Sequence, residues 1–238
     1  MVKNRRKRNQ HEERVMTHKA HRIKLCWGIE SGECPNLIFS EPELQQDLES
    51  VIEESGWPEL LAGSLPGKIK PLDQFSVSVS GCPNGCSRPQ IADVGLLQAK
   101  KPAVAGDLCT GCGECLQACR EGAIDLQAGL ARIDPERCLA CGHCLQACPE
   151  GALWPDSQGY RLQVGGKLGR HPRLADELPG IQARWRMLEI LERCLRLHID
   201  NYRPGLRFGR VVAEQGAGQV QQYSSLEDEN GRLKYSHG

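Results

Sequence analysis

The chain has 238 residues, with 30 basic and 30 acidic side chains and therefore a formal net charge of zero. That length allows one large domain or two small ones. The sequence has no apolar N-terminal signal segment and no apolar run as long as a membrane span, so we expect no membrane partner. Twelve of its 13 cysteines are spaced like metal ligands rather than disulfides, which predicts a location in the reducing cytoplasm.

The two ends of the chain differ in composition from the body. Residues 1–20 form a basic arm, which is typical of contact with nucleic acid, an anionic ligand or an acidic partner; a flexible, solvated terminus is the alternative. The interleaved aromatic residues of single-stranded nucleic-acid binders are missing, so nucleic acid is not an expected partner. Residues 214–238 are rich in Gly, Gln, Ser and charge and predict a loosely held tail.

The body begins with a strand-like run at residues 22–26, which ends in Cys26, and Cys34 follows. Apolar residues then recur at helical spacing within residues 40–55 and predict an amphipathic helix, with a second helical piece near residues 60–61. Residues 65–70 read Leu-Pro-Gly-Lys-Ile-Lys, and in an extended chain Lys68 and Lys70 share one face. Two lysines on the solvent face of a strand are the ordinary alternative.

An alternating Val/Ser run at residues 77–80 predicts a strand that breaks into a turn carrying Cys82 and Cys86. The turn is Pro83-Asn84-Gly85, in which Pro presets φ while Asn and Gly tolerate positive φ. Two thiolates on one tight turn suit an iron–sulfur cluster, and a structural zinc turn is the alternative. Arg88 lies just beyond the turn.

From about residue 104 two four-cysteine runs follow each other 29 residues apart, each with the spacing x2, x2, x3. They resemble the bacterial two-cluster ferredoxins, in which the fourth cysteine of each run serves the other cluster. The resemblance implies two 4Fe–4S clusters. One takes Cys109, Cys112, Cys115 and Cys148, and the other takes Cys138, Cys141, Cys144 and Cys119. Arg120 departs from the pattern, because many ferredoxins have Pro after the fourth cysteine.

The last part of the body begins with an alternating strand pattern at residues 160–164. It runs into a glycine pair and a basic loop comprising Gly165, Gly166, Lys167, Arg170 and Arg173. An amphipathic helix is expected over residues 181–202, with Cys194 and His198 in the core rather than as ligands, and a short segment over residues 208–213.

The turn at residues 80–96 resembles the signature of the sirohaem-dependent nitrite and sulfite reductases. Ser80-Gly81-Cys82, Cys86 and Asp93-Val94-Gly95-Leu96 match that signature at each position. The resemblance implies that Cys26, Cys34, Cys82 and Cys86 hold a 4Fe–4S cluster and that Cys86 is shared with the sirohaem iron. Seven residues lie between Cys26 and Cys34, which is more than in most members of the family.

The same resemblance implies roles for the basic residues. Arg22, Lys68 and Lys70 are expected at the substrate anion, since burying a small anion without cations is costly. Arg88 is expected either there or at a carboxylate of the macrocycle. Gly165 and Gly166 allow close backbone approach to sirohaem. Lys167, Arg170 and Arg173 are then expected to bind the carboxylates of the macrocycle. The alternative is that they form a basic loop that binds no ligand.

Together these features predict an α+β fold, in which a layered reductase domain with a mixed sheet carries an inserted two-cluster ferredoxin-like domain. The expected division is an arm (1–20), a first reductase part (21–103), the insert (104–154), a second reductase part (155–213) and the tail (214–238).

The predicted function is six-electron reduction of sulfite to sulfide at sirohaem, with electrons relayed from an external low-potential donor through the insert. Reduction of nitrite to ammonia, and an electron-transfer subunit of a larger reductase, are the alternatives. The chain has room for only one reductase domain of this kind, so we expect a homo-oligomer or a partner subunit.

Overall fold

The computed structural model describes residues 19–65 and 68–222, so most of the basic arm, Pro66, Gly67 and the tail beyond residue 222 lie outside the described residues. The strands are β1 (His21–Leu25), β2 (Phe75–Ser80), β3 (Val94–Val104), β4 (Ile124–Gln127), β5 (Leu130–Ile133), β6 (Leu153–Val164) and β7 (Asp176–Glu177). The α-helices are α1 (Trp27–Ser31), α2 (Leu44–Glu54), α3 (Trp57–Ser64), α4 (Glu114–Ala118), α5 (His143–Ala147), α6 (Arg184–Asp200), α7 (Phe208–Gln215) and α8 (Gly218–Gln222). A 3-10 turn covers Pro89–Ile91.

The described residues form a five-stranded mixed sheet in the order β1-β2-β3-β6-β7. Strands β1, β2 and β3 are parallel, whereas β6 and β7 pair antiparallel. Alternation in β2 gives the sheet two different faces, because successive side chains point to opposite sides. Phe75, Val77 and Val79 belong to the main core, while the serines between them face the other side. The fold is thus the expected mixture of α and β around a mixed sheet.

One face of the sheet is covered by helices. The expected helix within residues 40–55 is α2, whose four periodic apolar residues are all buried: Leu44, Leu48, Val51 and Ile52. It packs against β1 and against α6, which lies within the expected 181–202 range. Cys194 is fully buried in this core, and His198 packs between aromatic rings, 4.6 Å from the centroid of Trp57. Both residues are therefore structural, as the sequence indicates.

Strands β3 and β6 extend beyond the rest of the sheet as an antiparallel ribbon, with Val104 paired to Leu153. Residues 105–152 connect the ends of this ribbon. They contain α4, α5, the β4–β5 hairpin and a separate hydrophobic cluster that includes Cys115 and Cys144. The region is held to the sheet by the amide of Lys100, which donates to the carbonyl oxygen of Ala140 at 2.7 Å.

Two segments differ from their expected extent. Strand β6 begins at Leu153, well before the alternating run at residues 160–164, because its first half pairs along the ribbon. Residues 68–70 carry no strand, and both lysines there are exposed. In the described part of the chain, no helix is long and apolar enough to cross a membrane.

Candidate functional site

Two of the signature cysteines follow adjacent parallel strands and so emerge at the same edge of the sheet. The amide of Cys26, just after β1, donates to Val79 O at 2.9 Å, and Gly81 N donates to Cys26 Sγ at 3.2 Å. Helix α1 then turns the chain back to Cys34, close to residue 28. A Cβ at Gly28 would lie 2.7 Å from Cys34 Cβ, so glycine is what lets the two segments pack.

The structure thereby brings Cys26, Cys34, Cys82 and Cys86 together; we call them the strand-end cysteines. Burial raises the pKa of the Cys82 thiol, and the neighbouring Cys86, Cys26 and Cys34 raise it further. Four thiols whose charges oppose one another need a positive group among them to be held as thiolates, and iron or zinc supplies that charge. Cys82 is buried, whereas Cys86 is exposed to solvent. A second group can therefore approach the Cys86 thiol but not that of Cys82.

The serines of β2 fasten the cysteine turn to the sheet. Ser80 Oγ lies 2.7 Å from Ser87 Oγ, and Ser78 Oγ donates to Ser87 O at 2.9 Å. Ser76 Oγ donates to Asp93 at 2.6 Å, and the Ser76 amide donates to the same carboxylate at 2.9 Å. The alternating Val/Ser pattern therefore serves two purposes, with valines in the core and serines holding the segment from Cys82 to Asp93.

Gly95 has a steric role in the same motif. A Cβ there would lie 2.4 Å from Pro89 O, so only glycine lets the 3-10 turn lie directly on β3. The turn is preceded by Arg88, which has a left-handed φ of 66°. These contacts fix where Arg88 lies relative to Cys86.

A cavity of about 430 Å³ opens beside this turn. Its walls include four cationic side chains, and we call it the basic cavity: Arg22, Lys24, Arg88 and Arg207. Ser87 and Arg88, the residues that follow Cys86, also line it. Cys86 is therefore the strand-end cysteine next in sequence to the wall of the basic cavity.

Asp93 lies against this cavity without opening into it. Burial raises the pKa of Asp93, while the charge of Arg207 and the hydrogen bonds from Ser76 act in the opposite direction. The Arg207 guanidinium is 4.0 Å from the Asp93 carboxylate, and Ser76 lines the cavity. The Asp93 carboxylate thus orients Ser76 and Arg207, which both line the basic cavity.

Lys68 and Lys70 do not line the basic cavity, although Pro71 and Leu72 do. Their role at the anion stays a prediction, because both side chains are exposed and neither is held at the wall. The Lys70 amide donates to Asp73 at 2.9 Å, which fixes the turn that leads from the lysines to Leu72.

The glycine pair after β6 packs against protein. A Cβ at Gly165 would lie 2.6 Å from Val212 Cβ, and one at Gly166 would lie 2.6 Å from Gln90 O. These contacts account for both glycines within the chain itself, so their approach to sirohaem also stays a prediction.

The basic loop after this pair is largely held by its own bonds. Lys167 donates to His171 O, and Arg173 donates to Gly165 O at 2.9 Å and pairs with Asp176. Arg170 is exposed. Leu168 and Gly169, between these residues, do line the basic cavity.

Sequence reasoning missed two of the cavity's cations. Lys24 had a signal, since it lies two residues after Arg22 on β1 and therefore shares its face. Arg207 had none, because it lies in the loop before α7, and only the tertiary fold brings it to Asp93.

The eight cysteines of residues 105–152 gather in two groups. Burial raises the pKa of the Cys115 thiol, and the nearby Cys109, Cys112 and Cys148 raise it further; we call these four the first set. Cys144 lies near Cys138, Cys141 and Cys119, and these four form the second set. Burial and the neighbouring thiols raise the pKa of Cys144 to about 12. Each set draws its fourth member from the other run, which is the crossed arrangement of the two-cluster ferredoxins.

The second set faces the strand-end cysteines. A small cavity of about 70 Å³, the inter-site cavity, is lined by Cys82 and Asn84 on one side and by Cys119, Cys138, Cys141 and Cys144 on the other. The first set is absent from the residues that line it, and Cys112 of that set is exposed.

All three groups of thiols fit iron–sulfur chemistry by their donor type. A single zinc ion needs its sulfur ligands within about 2.3 Å of one point. Within residues 19–65 and 68–222, no three His, Cys, Asp or Glu side chains are placed to hold one metal ion. A four-iron cluster is larger than one ion and spaces its thiolates more widely. The basic cavity fits a carboxylate-bearing macrocycle by its four cations.

The fold is of the α+β type, and its grouped thiols are the donors that suit iron–sulfur clusters. Residues 30–230 match the family model described as the nitrite and sulphite reductase 4Fe-4S domain. The chain belongs to this family, whose members bind a 4Fe–4S cluster, often together with sirohaem.

Individual relatives agree with that membership. The chain is 41% identical over 139 residues to the coenzyme F420-dependent sulfite reductase of Methanocaldococcus jannaschii. The matched region makes up 58% of this chain and 20% of that protein. It is 39% identical over 46 residues to one of the subunits of the anaerobic sulfite reductase of Salmonella typhimurium, covering 19% and 14%. The chain thus spans a fifth or less of the length of these two relatives.

Among solved structures, that of dissimilatory sulfite reductase I has a TM-score of 0.55 and 17% sequence identity. The match covers 91% of this chain and 55% of the other. At that identity the likeness establishes the fold.

Proposed function

We propose that the chain is a sirohaem- and 4Fe–4S-dependent sulfite reductase that converts sulfite to sulfide. One observation carries the proposal. Cys86, the exposed member of the strand-end cysteines, immediately precedes Ser87 and Arg88, which belong to the wall of the basic cavity. That arrangement suits a cluster and a tetrapyrrole iron joined through one thiolate.

In this proposal the basic cavity holds the macrocycle and the substrate anion. Sirohaem, when bound, supplies the iron that accepts sulfite and passes electrons to it. Arg22 and Lys24 project from β1 into the cavity, while Arg88 and Arg207 reach it from loops on either side. Their charges offset those of the carboxylates and of the anion, which would be costly to bury alone.

Asp93 and Ser76 orient the cationic wall. The Asp93 carboxylate accepts from Ser76 and lies beside Arg207, so it favours one position of the guanidinium. Lys68 and Lys70 remain proposed proton donors and anion ligands. Pro71 and Leu72 already line the cavity, and a movement of this exposed segment would bring the lysines to it.

The residues between β3 and β6 are proposed to hold two further 4Fe–4S clusters that relay electrons. The exposed Cys112 makes the first set the entry point for an external low-potential donor. The second set borders the inter-site cavity together with Cys82, which makes it the exit towards the strand-end cysteines. Such a relay suits the reduction of sulfite to sulfide, because that reaction needs six electrons delivered one at a time.

Sulfite is favoured over nitrite as substrate because the two relatives compared by sequence are named as sulfite reductases. An electron-transfer subunit of a larger reductase is the second candidate. It is favoured by the position of Lys68 and Lys70 outside the cavity wall. In either case we propose association with a further copy or subunit.

Kinetics with a reduced viologen dye test the proposal. Anaerobically purified protein is expected to show chlorin-type absorption bands and to oxidise the dye when sulfite is added, more efficiently than with nitrite. Chlorin-type bands without turnover of either anion would support the second candidate, an electron-transfer subunit. Bands with faster turnover on nitrite would contradict the choice of substrate, and a spectrum without chlorin bands would remove the reductase proposal.

A further inference from the structure

Arg120 occupies the position at which the two cysteine runs differ. In the second run Cys148 is followed by Pro149, and in the first run Cys119 is followed by Arg120. The backbone does not require this difference. Cys119 has φ −84° and ψ 100°, Cys148 has φ −80° and ψ 110°, and both are extended conformations that a following proline accepts.

The arginine lies where the two halves of the proposed relay face each other. Arg120 lines the inter-site cavity together with Cys119 and the rest of the second set on one side and Cys82 on the other. Pro149 is not part of that lining. The run that departs from the ferredoxin pattern is therefore the one whose end faces the reductase sheet.

The guanidinium is available for charge compensation. In the part of the chain that the structure describes, the Arg120 side chain makes no ion pair or hydrogen bond, and the residue is exposed. Glu121 brings a carboxylate to the same wall. Without Arg120 the cavity wall would carry the thiolates and this carboxylate, with His143 as its only other basic side chain among the described residues. Lys101, which lowers the pKa of Cys138, acts from outside that wall. Each added electron would then be placed against the negative charge of the wall.

We propose that Arg120 is a positioning residue for electron transfer, one that stabilises the reduced state of a cluster held by the second set. This inference rests on the proposed function in that it takes both sets to bind 4Fe–4S clusters. With a cluster bound at each set, the step would be the transfer of one electron, which would oxidise the first-set cluster and reduce the second-set cluster. No bond is broken and no proton moves.

The test is an EPR-monitored redox titration of the anaerobically purified full chain. Arg120→Pro restores the residue of the other run and removes the charge, whereas Arg120→Lys keeps the charge. Arg132→Gln is the matched control, since it removes an exposed cation on β5 that does not line the cavity. The midpoint potential of each cluster is read from the fraction reduced at fixed solution potentials.

We expect Arg120→Pro to make the midpoint of one insert cluster more negative, so that its reduced fraction at a fixed low potential falls about tenfold. The other insert cluster, Arg120→Lys and Arg132→Gln should stay close to the wild type. The shift should shrink in high salt, because an exposed charge is screened. A purely structural role for Arg120 would not depend on salt in this way.

Unchanged midpoints in Arg120→Pro would overturn the inference, as would an equal shift in Arg120→Lys or in Arg132→Gln. A chain that binds only one insert cluster would overturn it too. The titration uses no sulfite and does not depend on sirohaem. A protein that lacks sirohaem but shows the expected shift therefore supports the inference while removing the reductase proposal.

Discussion

Replacing Gly95 by alanine should displace the cysteine turn from the sheet. The added Cβ would lie 2.4 Å from Pro89 O and 2.8 Å from Pro89 C, whereas ordinary contact begins at 3.4 Å. The obstruction is backbone, so the Pro89–Ile91 turn has to move by about 1 Å, which is the shortfall between these distances. That movement lengthens the bonds by which Ser78 and Ser80 hold Ser87, at 2.9 and 2.7 Å.

The expected cost follows from these two effects. Overpacking a well-packed site costs about 1–3 kcal/mol, and each weakened hydrogen bond adds about 1 kcal/mol. A loss of about 3 kcal/mol corresponds to a fall of roughly 6–12 °C in the unfolding midpoint for a chain of this size. Because Arg88 and Cys86 move with the turn, the visible spectrum of the bound cofactors should change as well.

Gly63→Ala is the matched control. Gly63 lies in α3 with nothing within 4 Å of its added Cβ, so alanine there should stabilise the helix by about 0.5–1 kcal/mol. Both variants are unfolded anaerobically at the same heating rate, with absorbance recorded in parallel. Equal midpoints and equal spectra for Gly95→Ala and Gly63→Ala would refute the steric reasoning.

Three further predictions concern other parts of the chain. Burial among aromatic rings, aided by the charge of Arg207, lowers the pKa of His198 from 6.5 to about 4. Between pH 4 and pH 6.5 the unfolded chain therefore binds more protons at His198 than the folded chain does. Stability should fall by up to about 3 kcal/mol as the pH drops from 6.5 towards 4, and His198→Phe should flatten that slope in chemical denaturation; an unchanged slope would contradict this. Ala140 has a left-handed φ of 54°, so Ala140→Gly should raise the unfolding free energy by about 0.5–1 kcal/mol, and a lower value would show that the strain is absent. Lys68→Ala and Lys70→Ala should lower sulfite turnover while leaving the visible spectrum intact, and wild-type rates in both would remove these lysines from the anion site.

Much of the fold follows from local patterns. The spacing of Leu44, Leu48, Val51 and Ile52 was sufficient to predict α2, because an isolated amphipathic stripe has one way to be buried. The β3–β6 ribbon was only partly predicted, since Lys100 and Pro102 interrupt its alternation and its pairing is decided between distant segments. Residues 68–70 alternate like a strand but have no strand partner in the described structure.

The candidate site divides in the same way. The resemblance to the reductases and to the two-cluster ferredoxins implied the groups of cysteines that the structure brings together. Local turn geometry alone predicted only that Cys82 and Cys86 lie close together. The cations were harder to predict, since Arg207 reaches Asp93 only through the packing of the loop before α7. Alternation along β1 places Lys24 on the same face as Arg22, so the sequence could have indicated a second cation there. Only the structure shows that both side chains line one cavity.

The most direct test of the central claim compares the visible and EPR spectra of anaerobically purified wild type with those of Cys86→Ser. If Cys86 links a cluster to a tetrapyrrole iron, the wild type shows chlorin-type bands and magnetic coupling between the two groups. The variant should lose the coupling or the tetrapyrrole while keeping the signals of the first and second sets. A wild-type spectrum with ferredoxin-type absorption alone, or coupling that survives in Cys86→Ser, would contradict the account.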